Sequence, residues 1–155
     1  MNISEVTLLS KEEYINYKRF IPEVDLWWWL QTPCDETYVY VVFAGMDISA
    51  YNAGYTCGAV RPVLKISNLN MQPGERFELV DYTWTVISPD TAICNKCVGF
   101  SPYQKQAHDL SNYENSDIRV WLDNWTKLND IRINQQAQPS FEEVYDTLLE
   151  MLTTA

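Results

Sequence analysis

Hydrophobic and polar residues alternate with a period of two along several stretches of the chain, and this pattern predicts β-strands. The clearest stretch is 82–87, where Tyr82, Trp84 and Val86 share one face while Thr83 and Thr85 share the other. Runs of β-branched and aromatic residues predict further strands. The predicted strands are 38–44, 59–66, 77–80, 82–87 and 91–100.

Two helices are predicted from capping signals followed by apolar residues at helical spacing. Ser10 and Glu13 form a capping box, which predicts a helix from about residue 11 to about residue 20, with Tyr14, Ile15 and either Tyr17 or Lys18 facing inward. A second helix begins after Asn115 or Ser116. Its predicted buried face carries residues at i, i+3, i+4 and i+7, namely Ile118, Trp121, Leu122 and Trp125.

A third helix is predicted over residues 139–152, again from a capping box, Ser140 with Glu143. Its predicted inward residues are Phe141, Val144, Tyr145, Leu148, Leu149 and Leu152. Between the strand at 38–44 and the strand at 59–66, glycines and asparagine punctuate a tyrosine-rich segment that reads as a loop. Pro62 lacks an amide hydrogen, so we expect it at an edge or an irregularity of its strand.

The chain has the length and composition of one folded domain. It has 155 residues, of which 46% are hydrophobic and 14% aromatic, enough to build a packed core. No apolar run approaches the ~18 residues of a membrane-spanning helix. The first residues resemble no secretory signal, because acidic residues come early and an apolar stretch is absent. We therefore expect one domain, no membrane association, and the cytoplasm of a bacterium or of an infected host cell.

The charge is strongly acidic, with 21 Asp and Glu against 11 Lys and Arg, a net charge of −10. This balance disfavours direct binding to nucleic acid, which attracts Lys and Arg. It permits binding to a protein whose own surface is built for nucleic acid. It is also explained by solubility alone, and both interpretations stay open at this point.

Little in the sequence points to catalysis or to a cofactor. Cys94 and Cys97 form a CxxC pair, a weak candidate for metal or redox chemistry, but Cys34 and Cys57 do not supply a second pair. His108, the single histidine, lies in a polar stretch. No nucleophile–base arrangement and no glycine-rich phosphate loop is recognisable. We expect a protein that is not an enzyme and that uses no cofactor.

Four short motifs together resemble an uncharacterised bacterial domain family of the C-type-lectin-like fold. LLSKEEYINY, WWWLQTP and GAVRPVLKI, within residues 1–66, resemble that family's C-terminal half, in which patterns like WWLRSP and GVRPAL occur. FELVDYTWTVIS, PYQ and YENSDIRVWLDNW, within 77–125, resemble its N-terminal half. The family is related in fold to the variable proteins of diversity-generating retroelements and to formylglycine-generating enzymes. The two halves stand here in reversed order.

The resemblance implies an α+β, C-type-lectin-like mixed sheet with flanking helices, circularly permuted, with residues 139–152 as an added helix. It implies that the strands at 59–66 and 77–87 are neighbours in one sheet, joined through 67–76 by a hairpin connection. It also implies a core strand at the tryptophans, burying either Trp28 and Leu30 or Trp27 and Trp29. Gln31 departs from the family pattern, which has an arginine there.

The resemblance places ligand-facing loops between the tryptophan strand and the GVRP-like strand. Tyrosine with asparagine and glycine is a composition typical of adaptable binding surfaces. We therefore expect a non-enzymatic protein- or ligand-binding module of phage or mobile-element origin, in which Tyr51, Asn52 and Tyr55 are the strongest candidates. The full predicted binding set is Tyr38, Tyr40, Met46, Asp47, Tyr51, Asn52 and Tyr55.

A second surface is expected on the added helix, whose acidic residues suit a basic partner. It suggests an alternative function, an acidic phage-encoded inhibitor of a host nucleic-acid-handling defence enzyme, such as an anti-CRISPR protein. The same helix could join two copies of the chain in a homodimer. The acidic residues of this predicted surface are Glu142, Glu143, Asp146 and Glu150.

Overall fold

The architecture is α+β, as the sequence predicts, and consists mostly of strands in two sheets. The computed structural model describes residues 1–106, 110, 112–134 and 148–152. Within them the strands are β1 (Asn2–Thr7), β2 (Trp28–Pro33), β3 (Tyr38–Val42), β4 (Ile48–Asn52), β5 (Ala59–Val60), β6 (Val63–Ser67), β7 (Arg76–Leu79), β8 (Tyr82–Ser88), β9 (Thr91–Cys94) and β10 (Gly99–Phe100).

Each sheet has five strands. Sheet A has the order β1-β6-β9-β8-β7 and is antiparallel throughout. Sheet B has the order β10-β5-β2-β3-β4 and is antiparallel except for the parallel pair of β2 and β5. β2, the tryptophan strand, is therefore the central strand of sheet B.

Both main helices begin where the capping signals predict. Helix α1 (Lys11–Tyr17) continues into a 3₁₀ turn (Lys18–Phe20), and both hydrogen bonds of the capping box between Ser10 and Glu13 are present at 3.1 Å. Helix α2 (Asp117–Leu128) is capped by Ser116, whose hydroxyl accepts from the Arg119 amide. Ile118, Leu122 and Trp125 are buried on its inner face, whereas Trp121 is half-buried.

Two apolar cores fill the space around sheet B. The main core collects buried residues from both sheets and from α2, including Trp29, Trp84 and Trp125. The second core lies beneath α1 and includes Tyr14, Trp28 and other residues of sheet B. Sheet B therefore carries apolar side chains on both faces, which is why three of its strands combine β-branched residues with aromatic ones.

The predicted strands differ from the observed ones in number and in extent. The sequence pattern does not predict β1 or β4, and β4 lies inside the segment that reads as a loop. The predicted strand at 59–66 is divided into β5 and β6 at Arg61 and Pro62, and this confirms that the proline marks an irregularity. The predicted strand at 91–100 is likewise two short strands, β9 and β10.

The expected pairing of the two motif-bearing strands is also wrong. β6 and β8 belong to the same sheet, but β9 lies between them. Residues 67–76 therefore do not form a hairpin, because β6 and β7 lie on opposite sides of β9 and β8. Residues near 134 do lie beside the first strand, since the Asn134 amide donates to the Ile3 carbonyl at 2.6 Å.

Some side chains predicted to face inward lie on the surface. Ile15 of α1 is exposed, whereas Tyr14 and Ile21 are buried in the second core. Residues 148–152 are helical, but Leu148, Leu149 and Leu152 are exposed rather than buried. The remainder of the predicted helix at 139–152 lies outside the described residues. Among the described helices, none combines the length and the apolar content that crossing a membrane requires.

Candidate binding site

The three consecutive tryptophans go to three different environments. Trp28 and Trp29 alternate across β2 and are both fully buried, Trp28 in the second core and Trp29 in the main core. Trp27 precedes the strand and is half-buried. The resemblance offered burial of either Trp28 and Leu30 or Trp27 and Trp29, and each alternative is only partly correct. Sheet B has an apolar core on both faces, so the adjacent rings of Trp28 and Trp29 are both buried.

The buried pair is held by specific contacts. The Trp28 ring packs edge-on against Tyr14, at 5.9 Å between centroids. The Trp29 indole N–H donates to the Ser101 carbonyl at 2.8 Å, inside the main core. Gly58 makes room for this indole, since a Cβ on Gly58 would lie 1.9 Å from Trp29 Nε1.

Four aromatic rings form a continuous cluster beside β4 that reaches the surface. Trp27 lies 4.4 Å from Tyr51 and 6.3 Å from Tyr55 between ring centroids, and Phe43 lies 5.2 Å from Tyr51. Tyr51 and Tyr55 are 5.3 Å apart. Edge-to-face contacts of this kind fix the rings relative to one another. We call Trp27, Phe43, Tyr51 and Tyr55 the aromatic patch.

The aromatic patch is anchored at one end and open at the other. Trp27 contacts the buried Trp29 at 5.1 Å, so the patch continues directly into the main core. Tyr55, by contrast, is 53% exposed, while Trp27, Phe43 and Tyr51 are half-buried. The result is an aromatic surface held in place by the core, and such a surface is suited to binding a partner by apolar contact rather than to catalysis.

The structure brings together only part of the predicted binding set. Tyr51 and Tyr55 belong to the aromatic patch. Asn52 stabilises the turn after β4, where its side-chain oxygen accepts from the Gly54 amide at 2.9 Å. Trp27 and Phe43 were missed, although alternation from Trp29 and from Val41 places both on the same side as Tyr51.

Three other predicted residues lie on the opposite face of sheet B. Tyr38 pairs with Asn52, and Tyr40 pairs with Ala50, so their side chains point away from Tyr51. Tyr40 is half-buried with the Lys11 ammonium 4.1 Å from its ring centre. Met46 packs against the second core, and its carbonyl accepts from the Tyr14 hydroxyl at 2.6 Å. The predicted single surface is therefore divided between two faces.

Four exposed carboxylates are close in sequence to the aromatic patch or to the strands that carry it. Asp47 is exposed immediately before β4, and Asp25 is exposed two residues before Trp27. Asp35 and Glu36 are exposed in the turn before Tyr38. Backbone amides of Thr37 and Tyr38 donate to Asp35 and lower the pKa of its carboxyl group, so that it carries a full negative charge at neutral pH.

A groove of ≈ 500 Å³ lies on the second-core side of sheet B. It has an apolar floor at Ile15, Ile21 and Met46, with Lys18 and Arg19 at its rim. It contains Met46 alone of the predicted binding set. Another groove, of ≈ 420 Å³, runs along α2 and is lined by Trp121, Asn124, Trp125 and Leu128.

Arg61 is an unusual buried cation next to the cysteine pair. Its Nε donates to the Cys94 carbonyl at 2.7 Å, and its guanidinium lies 5.0 Å from the Trp28 ring centre. Within the part of the chain that the structure describes, Nη1 and Nη2 have no hydrogen-bond partner. Burial lowers the pKa of Arg61 to about 10, so the group remains charged at neutral pH.

The two cysteines of the CxxC pair, Cys94 and Cys97, lack the environment of reactive thiols. Burial raises the pKa of the Cys97 thiol to about 11 and also raises that of Cys94, whereas a reactive CxxC pair has a lowered one. Cys34 and Cys57 are exposed free thiols. Among the described residues, no group of three or more His, Cys, Asp and Glu side chains is placed to hold a metal ion. His108 lies outside the described residues, so the metal hypothesis stays a prediction.

The predicted acidic surface falls mostly outside the described residues. Glu142, Glu143 and Asp146 are not described, and Glu150 is exposed in the helical segment 148–152. The inhibitor hypothesis and the homodimer through this helix both stay predictions.

Comparison with known proteins adds no relative to this picture. No family model, no curated protein and no solved structure matches this chain.

Proposed function

We propose that this protein is a non-enzymatic binding module that contacts a protein partner through the aromatic patch. The observation that carries the proposal is the continuous path of ring contacts from the buried Trp29 through Trp27 to the exposed Tyr55. Surface aromatic clusters anchored in a core lose little conformational entropy on binding, and Trp and Tyr dominate the energetic centres of interfaces.

A pair of matched substitutions tests this proposal. Tyr55→Ala removes an exposed ring of the aromatic patch, and Tyr38→Ala removes a ring that is 43% exposed on the opposite face of sheet B. We expect proteins captured from a bacterial lysate by the parent chain and by Tyr38→Ala to be lost with Tyr55→Ala. Equal capture by all three forms, with folding confirmed by circular dichroism, would refute the proposal.

A second candidate function rests on the net charge of −10. In this proposal the chain is an acidic inhibitor of a nucleic-acid-handling defence enzyme, of phage or mobile-element origin. Raising the salt concentration weakens interactions between exposed charges. A captured nucleic-acid enzyme that is released at high salt, and that Tyr55→Ala still binds, would favour this inhibitor over the patch-binding module.

We also propose that the fold is a circularly permuted variant of the C-type-lectin-like fold. The central position of β2 in sheet B and the contact between Asn134 and Ile3 support this, whereas the position of β9 between β6 and β8 counts against it. Chains whose ends meet tolerate permutation. A chain rejoined in the family order, with residue 134 linked to residue 1 and new ends between 70 and 72, is expected to fold. Failure to recover the parent circular dichroism spectrum would count against the permutation.

A further inference from the structure

Strand β4 presents an open backbone edge next to the aromatic patch. Among the described strands it is the outermost of sheet B and pairs with β3 alone. The Phe43 amide donates to Asp47 at 2.8 Å, and the Ala53 amide donates to Thr37 at 2.9 Å, which marks both pairs as hydrogen-bonded. Hydrogen-bonded pairs recur at every second residue of an antiparallel ladder.

The same alternation determines which groups of β4 point outward. Counting from Asp47 and Ala53, the backbones of Ser49 and Tyr51 face β3. The N–H and C=O groups of Ile48 and Ala50 therefore face the open edge. Within the described part of the chain, no residue supplies a hydrogen bond to these four groups. They form a template for an added strand.

The other sheet edges are protected, and β4 is not. β1 has an irregularity between Ile3 and Glu5 and is covered at Ile3 by Asn134, while β7 carries Arg76 and Glu78. β10 has only two residues. β4, with the sequence ISAYN, has no charge and no proline, and it pairs with β3 over five consecutive residues without a bulge. Natural sheets usually avoid such an edge unless it serves binding.

We propose that the partner of this protein binds as an extended peptide strand added to the open edge of β4. This inference rests on the proposed function, because the aromatic patch would hold every second side chain of the added strand, beside Tyr51. Main-chain hydrogen bonds to Ile48 and Ala50 would supply the register.

Charge indicates which peptide the edge fits. Asp47 directly precedes β4, Asp35 and Glu36 lie in the turn before Tyr38, which pairs with Asn52 at the end of β4, and Asp25 is two residues before Trp27. Lys105, whose carbonyl lies close to Gly54, is a basic residue in the same region. The acidic excess favours a strand with apolar residues at alternate positions and basic residues at its ends. It disfavours a second copy of this chain, because each copy carries a net charge of −10.

A synthetic peptide tests this inference. The probe has threonine alternating with valine and tyrosine, a pair of lysines at each end and blocked termini. Its affinity for the protein is measured by titration calorimetry. Two control peptides have the same sequence. One carries N-methyl groups on the alternate amides of one strand edge, and the other carries them on the amides of the opposite edge. We expect one of the two methylated peptides to bind at least about tenfold more weakly than the parent peptide, and the other to be little affected.

Variants of the protein separate strand addition from side-chain contact. Ala50→Pro removes an outward N–H without removing a hydrogen bond to β3, so the sheet is expected to keep its melting temperature. We expect it to weaken peptide binding about tenfold, and hydrogen exchange of the parent protein to slow at Ile48 and Ala50 when the peptide binds. If Ala50→Pro fails to fold, the methylated peptides and the hydrogen-exchange data on the parent protein still show whether the peptide binds by strand addition.

Each remaining outcome contradicts a different part of the proposal, either the added strand or the basic peptide as its source. Binding that depends on Tyr55 but not on Ala50 or on peptide methylation leaves the aromatic patch as the binding site and overturns the strand. If the peptide does not bind, the inference that a basic extended peptide adds to β4 is wrong. The proposed function is tested separately by the lysate experiment. A dimer of the parent chain that Ala50→Pro dissociates would show that a second copy occupies the edge.

Discussion

Gly58→Ala is expected to destabilise the protein more than any other single added methyl group near the site. The new Cβ would lie 1.9 Å from Nε1 and 2.3 Å from Cε2 of Trp29. The backbone cannot easily retreat, because the Gly58 carbonyl accepts from the Ser101 amide at 2.9 Å. The indole cannot easily retreat either, since its N–H donates to the Ser101 carbonyl.

The size of the effect follows from these two contacts. Overpacking a close-packed core costs about 1–3 kcal/mol. If the indole moves, it leaves a buried N–H unpaired, at a further cost of about 1–3 kcal/mol. The expected loss is therefore about 1–3 kcal/mol if the indole stays in place and about 2–6 kcal/mol if it moves, out of a total unfolding free energy that is typically about 5–15 kcal/mol.

Urea unfolding followed by circular dichroism measures this loss, and Gly54→Ala is the matched control. A Cβ on Gly54 would lie 3.3 Å from Asn52 Oδ1 and 3.4 Å from the Lys105 carbonyl, distances that small movements relieve. Tryptophan fluorescence is expected to change with Gly58→Ala, because Trp27 packs on the displaced ring. If the two variants unfold within about 0.5 kcal/mol of each other, the clash at Trp29 is not what requires a glycine.

Three further predictions concern the cores and the helices. Burial raises the pKa of the Tyr14 hydroxyl from 10.0 to about 12. Because the folded state holds this proton more tightly than the unfolded state, its contribution to stability is complete below pH 10 and is lost as the pH rises toward 12. Tyr14→Phe should reduce this loss of stability when urea unfolding is measured across the pH range. Arg61→Met removes the unpaired Nη groups together with one hydrogen bond and a cation–π contact, so we expect its unfolding free energy to stay within about 1 kcal/mol of the parent, whereas a loss of several kcal/mol would show that the guanidinium has a partner. Ser116→Ala removes the side-chain cap of α2 and should lower the thermal stability by about 1 kcal/mol, with Asn115→Ala as the control at the adjacent position.

The helices were predictable because their signals are local. The capping box at Ser10 and the spacing of Ile118, Leu122 and Trp125 act within one or two turns of chain, so the pattern alone places α1 and α2. β4 was not predictable in the same way. Its sequence ISAYN has weak strand propensity, and it is a strand because β3 pairs with it over five residues. The position of β9 between β6 and β8 is likewise a long-range outcome that no local pattern encodes.

The candidate site was half predictable for a related reason. Composition singled out Tyr51 and Tyr55, but composition does not say on which face of a sheet a residue lies. Tyr40 and Tyr51 are close in sequence and point to opposite faces, because the register with β3 separates them. Phe43 follows Val39 and Val41 in alternation and could have been assigned to the aromatic patch, had a second strand been recognised beside it.

The run of three tryptophans makes β2 nearly symmetrical to a shift by one residue. A slip by one residue would place Trp28 in the position of Trp29 and Trp27 in the position of Trp28, so that each indole is replaced by another and size alone gives little resistance to misalignment. What distinguishes the two registers is the space at Gly58 and the carbonyl of Ser101, which accommodate one indole in one position. Gln31 adds to this, because its side-chain amide donates to the Leu8 carbonyl at 2.8 Å. The register of the central strand therefore depends on a glycine and a carbonyl that are far from it in sequence, because these two groups fit only one of the possible alignments of the repeated tryptophans.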